Sequence, residues 1–332
     1  MAYKVSVIIP VYNVGEYIVK TMESLIDQTF KDFELILVND GSRDNSIAYA
    51  ETALKNSTVN YKVINKDNEG VSKARNKGIE EATGKYLYFL DGDDYIDKSF
   101  LEKMYHCAEK EEAQVVFCGY THMNASGQQE STLLKVHKYL EKPISGVEAA
   151  AKMLNNEIWI SAISGFYLRE FIMENNISFQ SDIKFGEDTI FAVKALANAK
   201  LVASVNEPLA FYVRRNTSVT KTGDEKYFDL HRSNIEMLNY NRELLKDYRV
   251  ERALLEYKIP QSIIRIFMAL SKSGNNKAEL LNFINHKEIR GFLKGFKING
   301  NKNNLKFKMA SYAILLSPSI TYRTLRVIYK NN

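Results

Sequence analysis

Cysteine is scarce in this sequence. The two present, Cys107 and Cys118, stand eleven positions apart, with no Cys-x-x-Cys pair and no nearby histidine cluster. That excludes a disulfide framework or a structural zinc site as the basis of the fold. No apolar run approaches the roughly 18–20 residues needed to span a bilayer. Met1-Ala2-Tyr3-Lys4 runs straight into a strand without a signal-peptide pattern. A cytoplasmic protein is expected, soluble or peripheral on the inner face of the membrane, and the Asn-x-Ser/Thr triplets at Asn56, Asn124 and Asn216 are then accidental. Glycine-rich nucleotide loops are missing as well. Gly78 to Lys85 has the outline of a P-loop, but five residues separate Gly78 from Gly84 where four are required, and Tyr86 stands in place of Ser or Thr. The first strand leads into Pro10-Val11-Tyr12-Asn13, not a dinucleotide fingerprint. A diphosphate held by this sheet needs a cation instead.

Acid is absent from the end of the chain. Gly291 to Asn332 holds six Lys and two Arg but no Asp or Glu, a charge of +8 against +5 for the whole chain, so the preceding 290 residues sum to −3. A body with a basic tail suits an anionic surface, either membrane lipid or nucleic acid.

What is present is a patterned globular chain. Its 332 residues, 45% hydrophobic, can bury a sizeable core and fit one large domain plus a smaller one. Val5 to Ile9 is an apolar run, and a strand is expected to end at Pro10 because proline cannot donate to a ladder. Phe33 to Val38, Tyr61 to Ile64 and Tyr86 to Leu90 read as further strands. Helical spacing fills Glu16 to Thr29, the stretch after Asp44, and Gly70 to Thr83. This alternation predicts a parallel sheet with right-handed crossovers. Capping boxes at Ser99–Glu102 and Ser145–Glu148 open two more helices. Gln114 to Gly119 is a fifth strand, and Tyr120 to Glu141 reads as a connection, hairpin or loop. Trp159 to Phe171 is apolar and aromatic. A helix follows Phe185, then two strands, Leu201 to Val205 and Leu209 to Val213. Beyond Glu225 the chain is helical and basic, with helices near 225–247, 250–272 and 303–329 and a kink or break at Pro260. Domains of 1–222 and 223–332 are expected.

The organising stretch is Tyr86-Leu87-Tyr88-Phe89-Leu90-Asp91-Gly92-Asp93-Asp94. A strand buried on both faces delivers three carboxylates to the rim of a sheet, where ligands of open α/β sheets bind. Crowded acids repel unless a cation lies between them, and Mg²⁺ or Mn²⁺ is commonly held by one or two carboxylates plus phosphate oxygens. An acidic turn capping the next helix is the plainer alternative.

Val7 to Asn13, Val38 to Ser42, Asn68 to Asn76, Leu90 to Asp94 and Gly186 to Asp188 together resemble the family 2 glycosyltransferases, in that family's order and at similar spacing. The likeness covers about residues 4 to 220. It implies an inverting enzyme of the GT-A fold, mostly parallel α/β, with a nucleotide-diphospho-sugar donor and a helical C-terminal region outside the motifs. By this resemblance Pro10, Tyr12 and Asn13 border the donor base, with Tyr12 packing on it. A tyrosine merely covering the sheet edge stays open. Asp40 would accept the uracil imide hydrogen, although Asn39-Asp40-Gly41 also reads as an ordinary turn. Asn68, Arg75 and Gly92 fall at the donor, and Asp91 near the ribose or metal. Asp93 is implied as the main metal ligand, with Asp94 in support. Glu187-Asp188 matches the acidic pair containing the general base, assigned to Asp188, while acids at a helix start are also ordinary dipole partners. Arg214, Arg215 and Ser218 sit where relatives place a segment covering the diphosphate.

No Gln-x-x-Arg-Trp motif follows Asp188, so single-sugar addition is expected, not processive synthesis. The implied reaction moves a hexose or N-acetylhexosamine from a UDP-sugar to a hydroxyl of a surface polysaccharide, cell-wall glycan or lipid-linked glycan. A sugar nucleotidyltransferase would normally carry a Gly-rich phosphate loop, absent here. A non-catalytic binder of nucleotide-sugar or nucleic acid is the rival of another class, although no nucleic acid is expected as partner. The basic, aromatic tail fits an anionic membrane, or a packing or dimerisation module, leaving a homo-oligomer open.

Overall fold

The computed structural model describes residues 3–132, 138–214, 225–298 and 304–330. The chain divides into two compact units, Met1–Asp182 with Glu187–Lys221, and Ile183–Gly186 with Thr222–Asn332.

In the first unit, apolar runs bounded by turn residues become strands and the segments of helical spacing become their crossovers. The strands are β1 (Val5–Val11), β2 (Phe33–Asp40), β3 (Asn60–Lys66) and β4 (Tyr86–Phe89), linked by α1 (Tyr17–Ile26), α2 (Ser46–Leu54) and α3 (Val71–Glu81). These four strands are parallel, in the order β3-β2-β1-β4. β1 and β4 are buried along their whole length, as strands covered on both faces must be. Beyond β4 the sheet becomes mixed. β5 (Tyr95–Ile96), β6 (Val115–Asn124), β7 (Gln129–Thr132), β8 (Gly165–Leu168) and β9 (Val202–Arg214) continue it in the order β4-β8-β6-β9-β5, with β7 on β6. α4 (Phe100–Glu111), α5 (Gly146–Leu154), α6 (Arg169–Glu174) and α7 (Glu187–Asn198) complete the unit.

Two expectations need correcting, and a stretch given no element of its own forms a strand. β1 does not stop at Pro10 but runs through it, paired with β2 as far as Val11–Asn39. Lys4 and Ile8 bond toward β4, so the missing N–H of Pro10 faces a level where pairing with β4 has already ended. The two strands placed on either side of Asn206 are one, β9, whose register against β6 shifts around Gly119 and Pro208. The aromatic run after Trp159 contains β8, which pairs antiparallel with both β4 and β6.

The second unit is helical: α8 (Glu225–Tyr240), α9 (Tyr248–Ala253), α10 (Ile259–Ser273), α11 (Lys277–Asn285), α12 (Lys287–Gly295), α13 (Asn304–Leu316) and α14 (Pro318–Lys330). Its core element is α10, with Ile259, Ile263, Ile264, Ile266, Phe267 and Leu270 fully buried. Pro260 occupies the first turn of α10, directly after a π-helical stretch at Leu254–Lys258, so the helix expected over 250–272 is α-helical on either side of a π-helical interruption. The helix expected over 303–329 is divided at Pro318, which starts α14.

Candidate active site

Register places the site. β1 pairs with β4 only as far as Ile8–Phe89, with β2 to Val11–Asn39, and β2 with β3 to Asp40–Lys66. The loops carrying Tyr12, Asp40, Asn68 and Asp91–Asp94 therefore leave neighbouring strands at one edge. Tyr12 is 48% exposed. Asn13 follows in the left-handed region (φ 48°), its Oδ1 accepting the Arg43 N–H at 2.9 Å. Gly92 is tied to α1, because Thr21 Oγ1 donates to the carbonyls of Gly92 (3.0 Å) and Asp94 (2.7 Å).

At the centre is Arg75 of α3, only 3% exposed. One guanidinium nitrogen donates to Asp91 Oδ1 at 2.7 Å and another to Glu187 Oε1 at 3.2 Å. Its carbon lies 5.1 Å from the centroid of the Phe179 ring. Burial works against the charge, but Asp91, Glu187 and Asp188 outweigh it and hold the Arg75 pKa above its ordinary value. Arg75 Nε is buried without a hydrogen-bond partner among the described residues.

Glu187 and Asp188 open α7, after Gly186, whose φ of +96° suits glycine. Burial, then the neighbouring Asp188, pushes the Glu187 carboxyl up to about 7, with Arg75 opposing. Asp188 is raised too, first by burial, although Arg75 and the Thr189 N–H at 2.7 Å favour its charged form. Burial, and after it the Asp188 charge, raise the Tyr120 and Tyr167 hydroxyls. Tyr120 in turn shares hydrogen bonds with Trp159 and Ser161.

Other expected positions have different work. Asp40 is 2% exposed. Its carboxylate accepts Lys66 Nζ (2.6 Å) and the N–H groups of Glu69 (3.0 Å) and Gly70 (2.8 Å), while Asn68 Nδ2 donates to its backbone carbonyl at 2.9 Å. Its side chain joins the loops after β2 and β3, so a uracil imide would have to share an acceptor already serving three donors. Asp94 is 1% exposed and takes the Val213 N–H of β9 on Oδ1 at 2.7 Å. Through Oδ1 it is a strut between the acidic turn and β9. Arg214 ends β9 and pairs with Glu130 of β7 at 3.2 Å. Arg215 and Ser218 lie outside the described residues.

Among the described residues no three acidic, histidine or cysteine side chains converge to hold a metal by themselves. The donor set still fits a divalent ion that brings phosphate oxygens and water with it. Asp93 is half-buried in the turn, and Asp91, 30% exposed, gives one oxygen to Arg75.

Two residues carry weight that the sequence reading gave no role. Asn76 exchanges two bonds with the backbone of Phe179, Nδ2 to the carbonyl and Oδ1 from the N–H, both 2.8 Å. Phe179 stacks on Phe191 at 4.1 Å and flanks Arg75. The only signal for Asn76 was its place immediately after Arg75 in a motif block.

The mixed sheet flanked by helices, with a buried guanidinium linking the turn after β4 to the start of α7, is that of the GT-A fold. The model of Glycosyl transferase family 2 matches residues 6–175. The uncharacterized glycosyltransferase EpsJ of Bacillus subtilis (strain 168) is 33% identical over 228 residues, 68% of this chain and 66% of that protein. The uncharacterized glycosyltransferase YibD of Escherichia coli (strain K12) is 32% identical over 249 residues, 74% of this chain and 70% of that one. The crystal structure of S. aureus TarS 1–349 in complex with UDP-GlcNAc superposes with a TM-score of 0.71 over 99% of this chain and 92% of that chain, at 21% identity, a likeness of fold. The chain belongs to the family 2 glycosyltransferases. No helix among the described residues is long and apolar enough to cross a membrane.

Proposed function

We propose that the chain transfers a single sugar, with inversion, from a UDP-sugar to a hydroxyl of a surface polysaccharide or cell-wall glycan. The observation that carries the reading is Arg75, which ties the turn bearing Asp91 to the helix bearing Glu187. Such a bridge keeps the diphosphate side of a donor and the acid pair in one frame. The fold shared with TarS, a protein crystallised with UDP-GlcNAc, supports a UDP-sugar as donor.

Asp188 is the proposed general base. As the acceptor oxygen bonds to the anomeric carbon, its proton passes to a carboxylate oxygen of Asp188, and the bond from that carbon to UDP breaks on the opposite face. Burial raises the carboxyl and so makes it a stronger base than a solvated aspartate. Glu187, held by Arg75, keeps its neighbour in place. Asp93, with the remaining oxygen of Asp91, would hold Mn²⁺ or Mg²⁺, which when bound neutralises charge on the departing diphosphate. Tyr12 offers its exposed ring to the base.

UDP release measured across a panel of UDP-sugars, with and without Mn²⁺, tests the reading. Asp188→Asn should lower turnover by about 10²–10⁴-fold while UDP binding persists. Turnover unchanged in that variant would remove Asp188 from the mechanism.

A further inference from the structure

We infer that α13 and α14 form a docking surface for an anionic lipid bilayer. On α13, Leu305, Met309, Tyr312 and Leu316 are 54, 64, 56 and 87% exposed, at spacings that put them on one helix face. On α14, Ile320, Val327 and Ile328 are 64, 60 and 47% exposed, again on one side. Single exposed apolar residues are ordinary, but two consecutive helices each with a stripe of them are not.

The stripes are not the result of helices left unpacked. The other side of α13 buries Ile314 and Ser311, whose hydroxyl donates to the Leu293 carbonyl at 2.8 Å. On α14, Tyr322 is 6% exposed and Arg326 donates to the Lys272 carbonyl at 3.0 Å. Arg290 reaches the Leu315 carbonyl at 2.7 Å. Both helices are seated on the helical unit by one face and present a second, apolar one.

Charge decides the occupant. Residues 291–332 contain eight basic side chains and no acid. Lys306 and Arg323 are exposed on the same two helices. A second copy of this surface would bring two acid-free basic faces together, whereas an anionic headgroup layer supplies the missing charge and admits the apolar side chains beneath it. Each helix has 13 residues, about 20 Å at the α-helical rise, too short to span a hydrocarbon core of about 30 Å. The helices therefore lie in the plane of the interface. This goes beyond the proposed transfer reaction and does not depend on it.

Sedimentation of the full chain with vesicles tests the inference. Binding is expected to vesicles of phosphatidylcholine with about one third phosphatidylglycerol, not to phosphatidylcholine alone, and to weaken as salt is raised. Met309→Glu with Leu316→Glu should cut the bound fraction at least about tenfold, and so should Lys306→Glu with Arg323→Glu, because binding draws on both apolar burial and charge. All four positions are on the outer face or partly so, and melting temperature and UDP release should not change. Equal binding to neutral vesicles, or binding unaffected in both double variants, overturns the inference. So does a dimer in analytical ultracentrifugation that Met309→Glu with Leu316→Glu dissociates, since the occupant would then be a second copy.

Discussion

Two carboxylates in adjacent positions cannot titrate independently when burial and each other's charge disfavour ionisation. Glu187 is pushed up to about 7 and Asp188 is raised with it. Catalysis that needs Asp188 ionised should therefore fall as pH drops below neutrality. Glu187→Gln removes the adjacent negative charge, so the acid limb of kcat/KM should move to lower pH even if the maximum rate suffers. A limb that stays in place, or moves up, would show that the two acids do not share a titration. Glu187, Asp188 and Asp91 were all legible as acids in their motif positions. Their linkage was not, because Arg75 joins residues 16 and 112 positions away in sequence. Nor does sequence tell an outward acid from an inward one: Asp40 and Asp94 have the same chemistry as Asp93 but spend it on Lys66, two backbone N–H groups of the loop after β3, and β9.

At the scale of elements, the site depends on how closely α3 lies on β1, since α3 carries Arg75 and Asn76. Gly78 sets that approach. A Cβ there would stand 2.2 Å from Cγ2 of Ile8, a fully buried β-branched side chain with little rotamer freedom. Gly78→Ala would gain roughly 1 kcal/mol of helix propensity but incur about 1–3 kcal/mol of overpacking. A lower melting temperature and weakened UDP-sugar turnover are expected together. A rise in melting temperature would mean that α3 can move off β1 without cost. β1, β2 and β4 were legible because burial on both faces leaves continuous apolar runs, and β3, at the sheet edge, by its place between two helical segments. The mixed half was harder. β8 is four residues long and recruited by its neighbours on both sides, and β9 passes through Pro208 by shifting register, so tertiary pairing overrides the local pattern.

For the molecule as a whole, charge balance predicts how a nucleotide diphosphate can bind. The chain before the basic tail carries a net −3, and the one buried guanidinium at the described site is already shared between Asp91 and Glu187. UDP adds further negative charge beside Asp91 and Asp93. At an effective dielectric near 20, two unit charges about 4 Å apart repel by about 4 kcal/mol, more than a good stacking contact on Tyr12 returns. A divalent cation reverses the sign of that interaction. UDP in the presence of EDTA should consequently leave the melting temperature almost unmoved. UDP with Mn²⁺ at about a hundredfold over its Kd should stabilise by about 2.7 kcal/mol, a shift of about 5–10 °C for a domain of this size. Asp93→Ala should reduce the shift to the EDTA level. A UDP shift as large in EDTA as in Mn²⁺ would mean that cationic side chains, not a metal, neutralise the diphosphate.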